Sequence, residues 1–304
     1  MLDLVIIGAG PAGITAAIYA ARKKIDFVLV SKDLGGQTAL SADVENYTGY
    51  QFITGPDLAA KFEEHLRQFA ITFHNGEAVT RIAWQAEGAG GGFAVESAKA
   101  SYACRSVLIA SGRRPRWLGV PGEEKFRNKG VSYCATCDGP LFSKKTVAVV
   151  GGGNSALDAA LQMVNIAEKV YLVDINAALG GDEIMRRKVQ VSPQVEVLNN
   201  AKTVGIAGDR FVTSLKVEVS GKARELAVSG IFVEIGSIPN SEIADFVDRN
   251  DAGEIVVDCL NRTSVRGVFA AGDVTTVPEK QIIVAAGEGA KAVLGVSRYL
   301  MQEK

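Results

Sequence analysis

Cys134 and Cys137, in "SYCATCDGP" (132–140), are separated by two residues, with Asp138 directly after the second. That spacing serves three chemistries: half of a zinc site, a structural staple, or a redox disulfide. A zinc site needs four ligands, typically a second Cys-x-x-Cys or a pair of histidines. The chain holds only His65 and His74, upstream and not ligand-spaced, so no residue is assigned to a metal. Asp138 can take up or deliver a thiol proton, and an aspartate before Gly139 and Pro140 can equally cap a turn. The other two cysteines, Cys104 and Cys259, stand singly in strand-like stretches and read as small buried hydrophobes. Four cysteines in 304 residues are too sparse for a secreted disulfide scaffold. A redox pair, in a compartment that keeps ordinary thiols reduced, is the leading reading.

The elements around the pair say what could feed it. "DLVIIGAGPAGITAAIYAARK" opens the chain, and "TVAVVGGGNSALDAALQMVNI" recurs at 146–166. Each is a β-branched run, a glycine turn and an alanine-rich amphipathic helix. The first carries Gly8, Gly10 and Gly13 around Pro11 and Ala12; the second carries Gly151 and Gly153, then Asn154, Ser155 and Ala156. The first glycine permits the tight turn, the second lets backbone approach a pyrophosphate, and the third lets helix pack close to strand. The phosphate then sits at the helix N-terminus. Two such motifs in strand–turn–helix context point to two bound dinucleotides, a flavin and a nicotinamide. The expected fold class is α/β, with two doubly wound dinucleotide-binding domains, the second inserted in the first.

Other segments fit that plan. "IDFVLVSK" (25–32) and "KVYLVDIN" (169–176) read as second strands, residues 57–69 as a helix, and 93–112 as hairpin strands with a flexible turn at 87–92. The chain returns to the first domain after "GIFVEIGSIPNSE" (230–242), giving 1–113 with 242–304 as one domain and 114–241 as the other. The loop "DLGGQTALSADVENYTGY" (33–50) should cover the cofactor, with Gly35, Gly36, Gln37 and Asn46 as contacts. "RGVFAAGDVTT" (266–276) ends a strand in Gly272 and Asp273, whose carboxylate can accept hydrogen bonds from the sugar-alcohol hydroxyls of a flavin dinucleotide. Gln281 and Ile282, opening the following helix, complete that site.

Composition excludes several classes. With 47% hydrophobic and 22% charged residues the chain is globular rather than disordered. A net charge of −1, from 33 basic and 34 acidic residues, lacks the footprint of a nucleic-acid or anionic-membrane binder. No apolar run approaches the ~20 residues that span a bilayer, and "MLDLVIIGAG" runs directly into a strand without a leader pattern. A cytoplasmic protein is expected.

The chain resembles the low-molecular-weight thioredoxin reductases along its length: "GAGPAG", "GGQ", "VEN", "CATCDG", "GGGNSA", "GVFAAGDV" and "AAGEGAKA…RYL" fall in the family's order. It is equally similar to the flavoprotein portion of alkyl hydroperoxide reductase in "CDGPLF", "GIFVEIGSIPN" and "AAGDVTTVPEKQIIVAAGEGAKA". That relative carries an extra N-terminal thioredoxin-like module with no counterpart here, so a stand-alone reductase is expected. The resemblance implies a homodimer, an FAD domain and an inserted nicotinamide domain holding the cysteine pair. It implies that electrons pass from a nicotinamide through FAD to a Cys134–Cys137 disulfide, and on to a thioredoxin- or glutaredoxin-like protein. Cys137 would face the flavin, Cys134 would attack the partner, and Asp138 would be the acid–base. The family also rotates its inserted domain, with Gly112, Pro115, Gly236 and Pro239 placed to act as hinges. The larger disulfide reductases use a histidine near the C-terminus, and this chain has none after His74.

One departure concerns the electron donor. Where the usual thioredoxin reductases place a histidine and two arginines after the second strand, this chain has Asp174, Ile175 and Asn176. A carboxylate there suits a free ribose diol and repels a 2′-phosphate, so NADH is expected over NADPH. Arg186 and Arg187 are expected on a solvated helix face. The alternatives are a ferredoxin- or deazaflavin-dependent reductase, a reductase of a peroxidase-linked redox module, and a non-catalytic flavin redox sensor.

Overall fold

A computed structural model describes the chain except residues 42, 45, 86–90 and 303–304, and except the side chains of residues 40, 43, 85, 136 and 137. The turn expected at 87–92 therefore lies largely outside the described residues. The chain divides into two compact units, Met1–Arg114 with Ile238–Lys304, and Pro115–Ser237.

In the first unit the apolar run Leu2–Ala9 forms the central strand of a mixed sheet. It pairs in parallel with Phe27–Leu34 on one side (Leu4 opposite Phe27) and with Ser101–Ile109 on the other (Ile7 opposite Ile109). Thr72–Asn75 extends the first side. Ser101–Ile109 is shared: its first half pairs antiparallel with Gly92–Ser97, and its second half pairs in parallel with the short strand Val268–Ala270. Strands buried on both faces read as unbroken β-branched runs, and Leu4, Val5, Ile6, Leu29 and Leu108 are fully buried. Truncating one such side chain to alanine costs about 2–5 kcal/mol. Helix Pro11–Arg22 and the long C-terminal helix Ile282–Gln302 cover one face. They approach closely because Gly289 lacks a side chain: a Cβ there would stand 2.0 Å from the Ala12 carbonyl oxygen.

The helix expected over 57–69 runs over Gly55–Leu66, because the Thr54 hydroxyl accepts the Asp57 N–H (3.2 Å) and starts it earlier. Cys104 is buried as expected, but Cys259 is exposed. The Asp258 carboxylate accepts the N–H groups of Leu260 and Arg262 (2.9 Å each). That closes a turn, not a strand, and leaves Cys259 outside the core.

The second unit is built on a five-stranded parallel sheet in the order Val131–Ser132, Gly230–Val233, Thr146–Val150, Lys169–Val173, Val195–Leu198. Helix Asn154–Val164 packs on one face through Ala156, Leu157, Ala160 and Met163. An antiparallel three-stranded sheet, Ala201–Gly208, Val212–Val219 and Lys222–Ala227, packs its apolar side against the other. Among the described residues no helix is long and apolar enough to cross a membrane.

Candidate functional site

The cysteine motif folds as one turn of helix, Ala135–Asp138, running into the 3-10 turn Gly139–Phe142. Ser132 brackets its start: the Cys134 N–H donates to Ser132 Oγ (3.1 Å), and that hydroxyl donates to the Cys134 carbonyl (3.2 Å). Cys134 is disulfide-bonded; the Cys137 side chain lies outside the described residues. The Asp138 N–H closes the turn on the Cys134 carbonyl (3.2 Å). Asp138 is half-buried, and its side chain caps no N–H of the following turn. The segment packs on helix Asn154–Val164, where a Cβ at Gly139 would stand 3.1 Å from Met163 Sδ. Phe142 meets Phe232 edge to face at 5.4 Å.

Two glutamates hold the residues on either side of Cys134. Glu123 is 2% exposed; its carboxylate accepts from the Tyr133 hydroxyl (2.9 Å), Leu118 N–H (2.8 Å) and Gly119 N–H (2.7 Å). Burial, and then the bond to Glu123, push the Tyr133 phenol well above its ordinary value. Glu234 accepts from the Ala135 N–H; burial pushes its carboxyl up to about 7 against that bond, with Asp158 adding to the rise. Neither stands out in the sequence. Glu123 sits beside exposed Glu124 in "GEEKF", a run that looks solvated throughout. The one available signal for Glu234 is that it follows three fully apolar strand residues.

The second glycine turn lies in the same unit. Gly151, at φ +134°, has no room for a side chain: a Cβ would stand 2.2 Å from the Glu234 carbonyl oxygen and 3.1 Å from the Ala156 Cβ. Space above Gly153 is open, with nothing within 4 Å of a Cβ; Asn154 and Ser155 beside it are exposed and Ala156 is buried. Asn154 Oδ1 accepts the Asp182 N–H (2.7 Å), folding the Gly180–Asp182 loop onto the turn. Asp174 is 2% exposed. Its Oδ1 accepts from Asn176 N (3.2 Å) and Nδ2 (3.1 Å), whereas its Oδ2 is buried without a partner. That oxygen lies over Gly152, 1.9 Å from where a Cβ would be. An acceptor left unpaired beside an open glycine turn fits the hydroxyl donors of a nucleotide ribose. Arg187 pairs with Glu183 on the exposed helix face. Arg186 does not share it: its Nη1 donates to the Leu179 carbonyl (3.4 Å), and its Nε is buried. One helical step of about 100° turns it inward.

In the first unit, Gly8 (φ +102°) and Gly13 carry the tight turn. A Cβ would meet Ala110 O at 2.4 Å from Gly8, and Gly8 O at 1.7 Å from Gly13. Gly10 has open space, and Pro11 starts the helix with Ala12 buried behind it. The expected loop folds here: a Cβ at Gly36 would stand 3.3 Å from Gly10 Cα, and Gly35 is left-handed (φ +87°). Gln37 Nε2 donates to Arg113 O (3.2 Å), and Asn46 Nδ2 donates to Gln281 Oε1 (3.0 Å), at the start of the helix that Ile282 opens. Gly272 packs on Ala12, and Gly112 O accepts the Asn240 N–H (2.9 Å). Burial raises the Asp273 carboxyl, opposed by the cations of Lys280 and Arg113. These residues converge on one glycine-lined cradle with a half-buried acceptor, which fits a dinucleotide with a polyhydroxylated chain. Among the described residues, no three His, Cys, Asp or Glu side chains are grouped to hold a metal.

The profile of the pyridine nucleotide-disulphide oxidoreductase family matches residues 2–289. The chain is 42% identical to the F component of alkyl hydroperoxide reductase from Pseudomonas putida, over 99% of this chain and 58% of that protein. It is 39% identical to a Bacillus subtilis NADH dehydrogenase, over 99% of this chain and 59% of that protein. The chain thus spans less than two thirds of these relatives. The solved thioredoxin reductase of Lactococcus lactis matches with a TM-score of 0.82 at 32% identity, over 99% of this chain and 100% of that one. The chain belongs to the pyridine nucleotide-disulphide oxidoreductase family.

Proposed function

We propose that this protein is an NADH-preferring reductase of a thioredoxin- or glutaredoxin-like protein, working through FAD and a Cys134–Cys137 disulfide. The observation that carries the reading is the disulfide at Cys134, on a turn packed against the helix that opens from the second glycine turn. FAD and the nicotinamide, when bound, supply the electron pair. Gly8, Gly10 and Gly13 with Gly35 and Gly36 would hold the flavin's pyrophosphate end, while Asp273, Gln37, Asn46 and Gln281 supply its polar contacts. Gly151, Gly153 and Asn154 would hold the nicotinamide dinucleotide, with Asp174 Oδ2 accepting a ribose hydroxyl. Once the pair is reduced, the Cys134 thiolate attacks one sulfur of the partner's disulfide. That bond breaks, a mixed disulfide forms, and the departing thiolate takes its proton from Asp138. Cys137 then attacks Cys134, re-forming the disulfide and releasing the partner's second thiolate. The linkers through Gly112, Pro115, Gly236 and Pro239 would let the pair serve both partners in turn.

A second reading has its own support. The alkyl hydroperoxide reductase relative is more similar in sequence, at 42%, than the L. lactis structure at 32%, which favours a peroxidase-linked redox module as partner. The test is thiol release from a thioredoxin, and separately from such a module, driven by NADH with the purified protein. Release from one and not the other chooses the partner. A colourless protein that takes up no FAD overturns the whole reading. A flavin that neither nicotinamide bleaches overturns its donor, leaving ferredoxin or a deazaflavin.

A further inference from the structure

Two consecutive glycines, Gly180 and Gly181, lie in the loop between Asp174 and helix Glu183–Val191. They are where that loop meets the second glycine turn. Gly181 is left-handed (φ +73°), and a Cβ there would stand 2.4 Å from Asn154 Oδ1 and 2.9 Å from Leu157 Cδ1. A Cβ at Gly180 would stand 3.4 Å from the Gly152 carbonyl oxygen, and Gly152 is the residue over which Asp174 Oδ2 lies. Turn, buried acceptor and loop therefore meet at Gly152, which makes the loop a third wall of that site.

A pair of glycines is the freest dipeptide a chain can place in a wall, so its ends must be held. Arg186 holds both. Its N–H donates to the Asp182 carbonyl (3.0 Å), and its Nη1 donates to the Leu179 carbonyl (3.4 Å). The Asp182 end has a second tie, its N–H donating to Asn154 Oδ1 (2.7 Å). The Leu179 side chain is buried in the same core cluster as Leu157. Its carbonyl, among the described residues, has the Arg186 guanidinium as its donor. The placement does not serve the helix, because a cation near a helix N-terminus opposes the macrodipole. Arg187, the next residue, pairs with Glu183 on the exposed face instead.

We propose that Arg186 is a positioning residue for the nicotinamide site, holding the Leu179–Asp182 loop against the second glycine turn before the dinucleotide arrives. The inference rests on the reading of that turn as the nicotinamide site. Without the guanidinium bond the glycine pair must be ordered with each binding event, which lowers affinity. The loop does not touch the reacting atoms, so half-saturation should rise while the limiting rate of flavin reduction holds.

R186M keeps the apolar stem and removes the donor; R187M, on the exposed face of the same helix, is the control. In the nucleotide-free protein, backbone amide exchange over residues 177–182 should quicken in R186M and match wild type in R187M. Calorimetric titration with NAD+, which binds without reducing the flavin, should show about tenfold weaker binding by R186M, the lower end for losing a hydrogen bond from a charged donor. Half-saturating NADH in stopped-flow bleaching should rise by the same factor at an unchanged limiting rate. R186Q sets an amide nitrogen where Nε lies and has no atom at Nη1. It should repeat R186M, and it decides the matter should R186M not fold. Unchanged loop exchange in the Arg186 variants, a loosened loop with unchanged NAD+ affinity, a fall in the limiting rate alone, or an equal loss in R187M overturns the proposal. A wild-type protein that binds neither NAD+ nor NADH overturns the donor reading instead, and the exchange measurement still decides whether Arg186 holds the loop.

Discussion

Asp174→Asn tests the donor site most sharply, because the substitution keeps the shape and changes one oxygen. The Asn oxygen can stay where Oδ1 accepts from Asn176, so the turn after the strand keeps its bonds and Tm should hold within a few degrees. The amide nitrogen then replaces Oδ2, the buried oxygen with no partner. A hydroxyl donating to a carboxylate is worth roughly 1.5–3 kcal/mol, so NADH should lose about 10- to 150-fold in kcat/KM for flavin reduction. For NADPH the sign reverses. Two unit charges about 4 Å apart at an effective dielectric of 20 repel by about 4 kcal/mol, and the amide removes that repulsion. Both terms push the NADH-to-NADPH ratio down, by at least tenfold. Stopped-flow bleaching of the flavin by each nucleotide, with wild type and D174N side by side, measures it. An unchanged ratio, or equal losses for both nucleotides, refutes the reasoning and leaves Asp174 as the end of a strand.

Cys134→Ser should abolish reduction of a disulfide protein while leaving the flavin reducible by nicotinamide, read as bleaching without thiol release. Gly10→Ala and Gly13→Ala should separate binding from folding. The first places a methyl group in open space and should lose FAD while Tm holds. The second drives a methyl to 1.7 Å from the Gly8 carbonyl oxygen and should lose about 1–3 kcal/mol or more of stability, checked by flavin content and thermal melts. Glu254 carries the acid-side prediction. Burial raises its carboxyl, but hydrogen bonds from Asn250, Lys280 and Arg113 outweigh that and hold it below 4.5. A depressed carboxylate contributes stability above its unfolded value and loses it as pH falls through the folded one. E254Q should thus be less stable than wild type at pH 7, and the two denaturation curves should converge as pH falls below 4.5.

What was legible in the sequence was steric. Gly8, Gly13 and Gly151 are dictated by backbone atoms that a Cβ would strike, and such a demand leaves a fixed letter at a fixed spacing. The parallel strands were legible for a related reason, since burial on both faces leaves unbroken apolar runs. The polar groups obey a different rule. A charged side chain is placed by the donors around it, and those come from distant parts of the chain. Arg186 and Arg187 are neighbours in sequence, yet one reaches the Leu179 carbonyl and the other stays on the exposed face with Glu183. Cys259 looked like a strand residue because the Asp258 turn that exposes it is made by a side chain, which periodicity does not register.

The same rule decides how the redox turn should be probed. Glu123 and Glu234 lie 111 positions apart in the chain, yet they hold the residues immediately before and after Cys134. Their hydrogen-bond sets assign them unequal structural loads. Glu123 has three donors, so truncating it strands a phenol and two N–H groups in a buried site, at about 1–3 kcal/mol for each. Its loss should appear mainly in stability. Among the described residues Glu234 has one donor, the Ala135 N–H, and a like-charged neighbour in Asp158, so its truncation strands a single N–H. Its loss should cost less stability. A melting temperature that fell further in E234A than in E123A would contradict that division, because it would place the structural load on the weaker of the two hydrogen-bond sets.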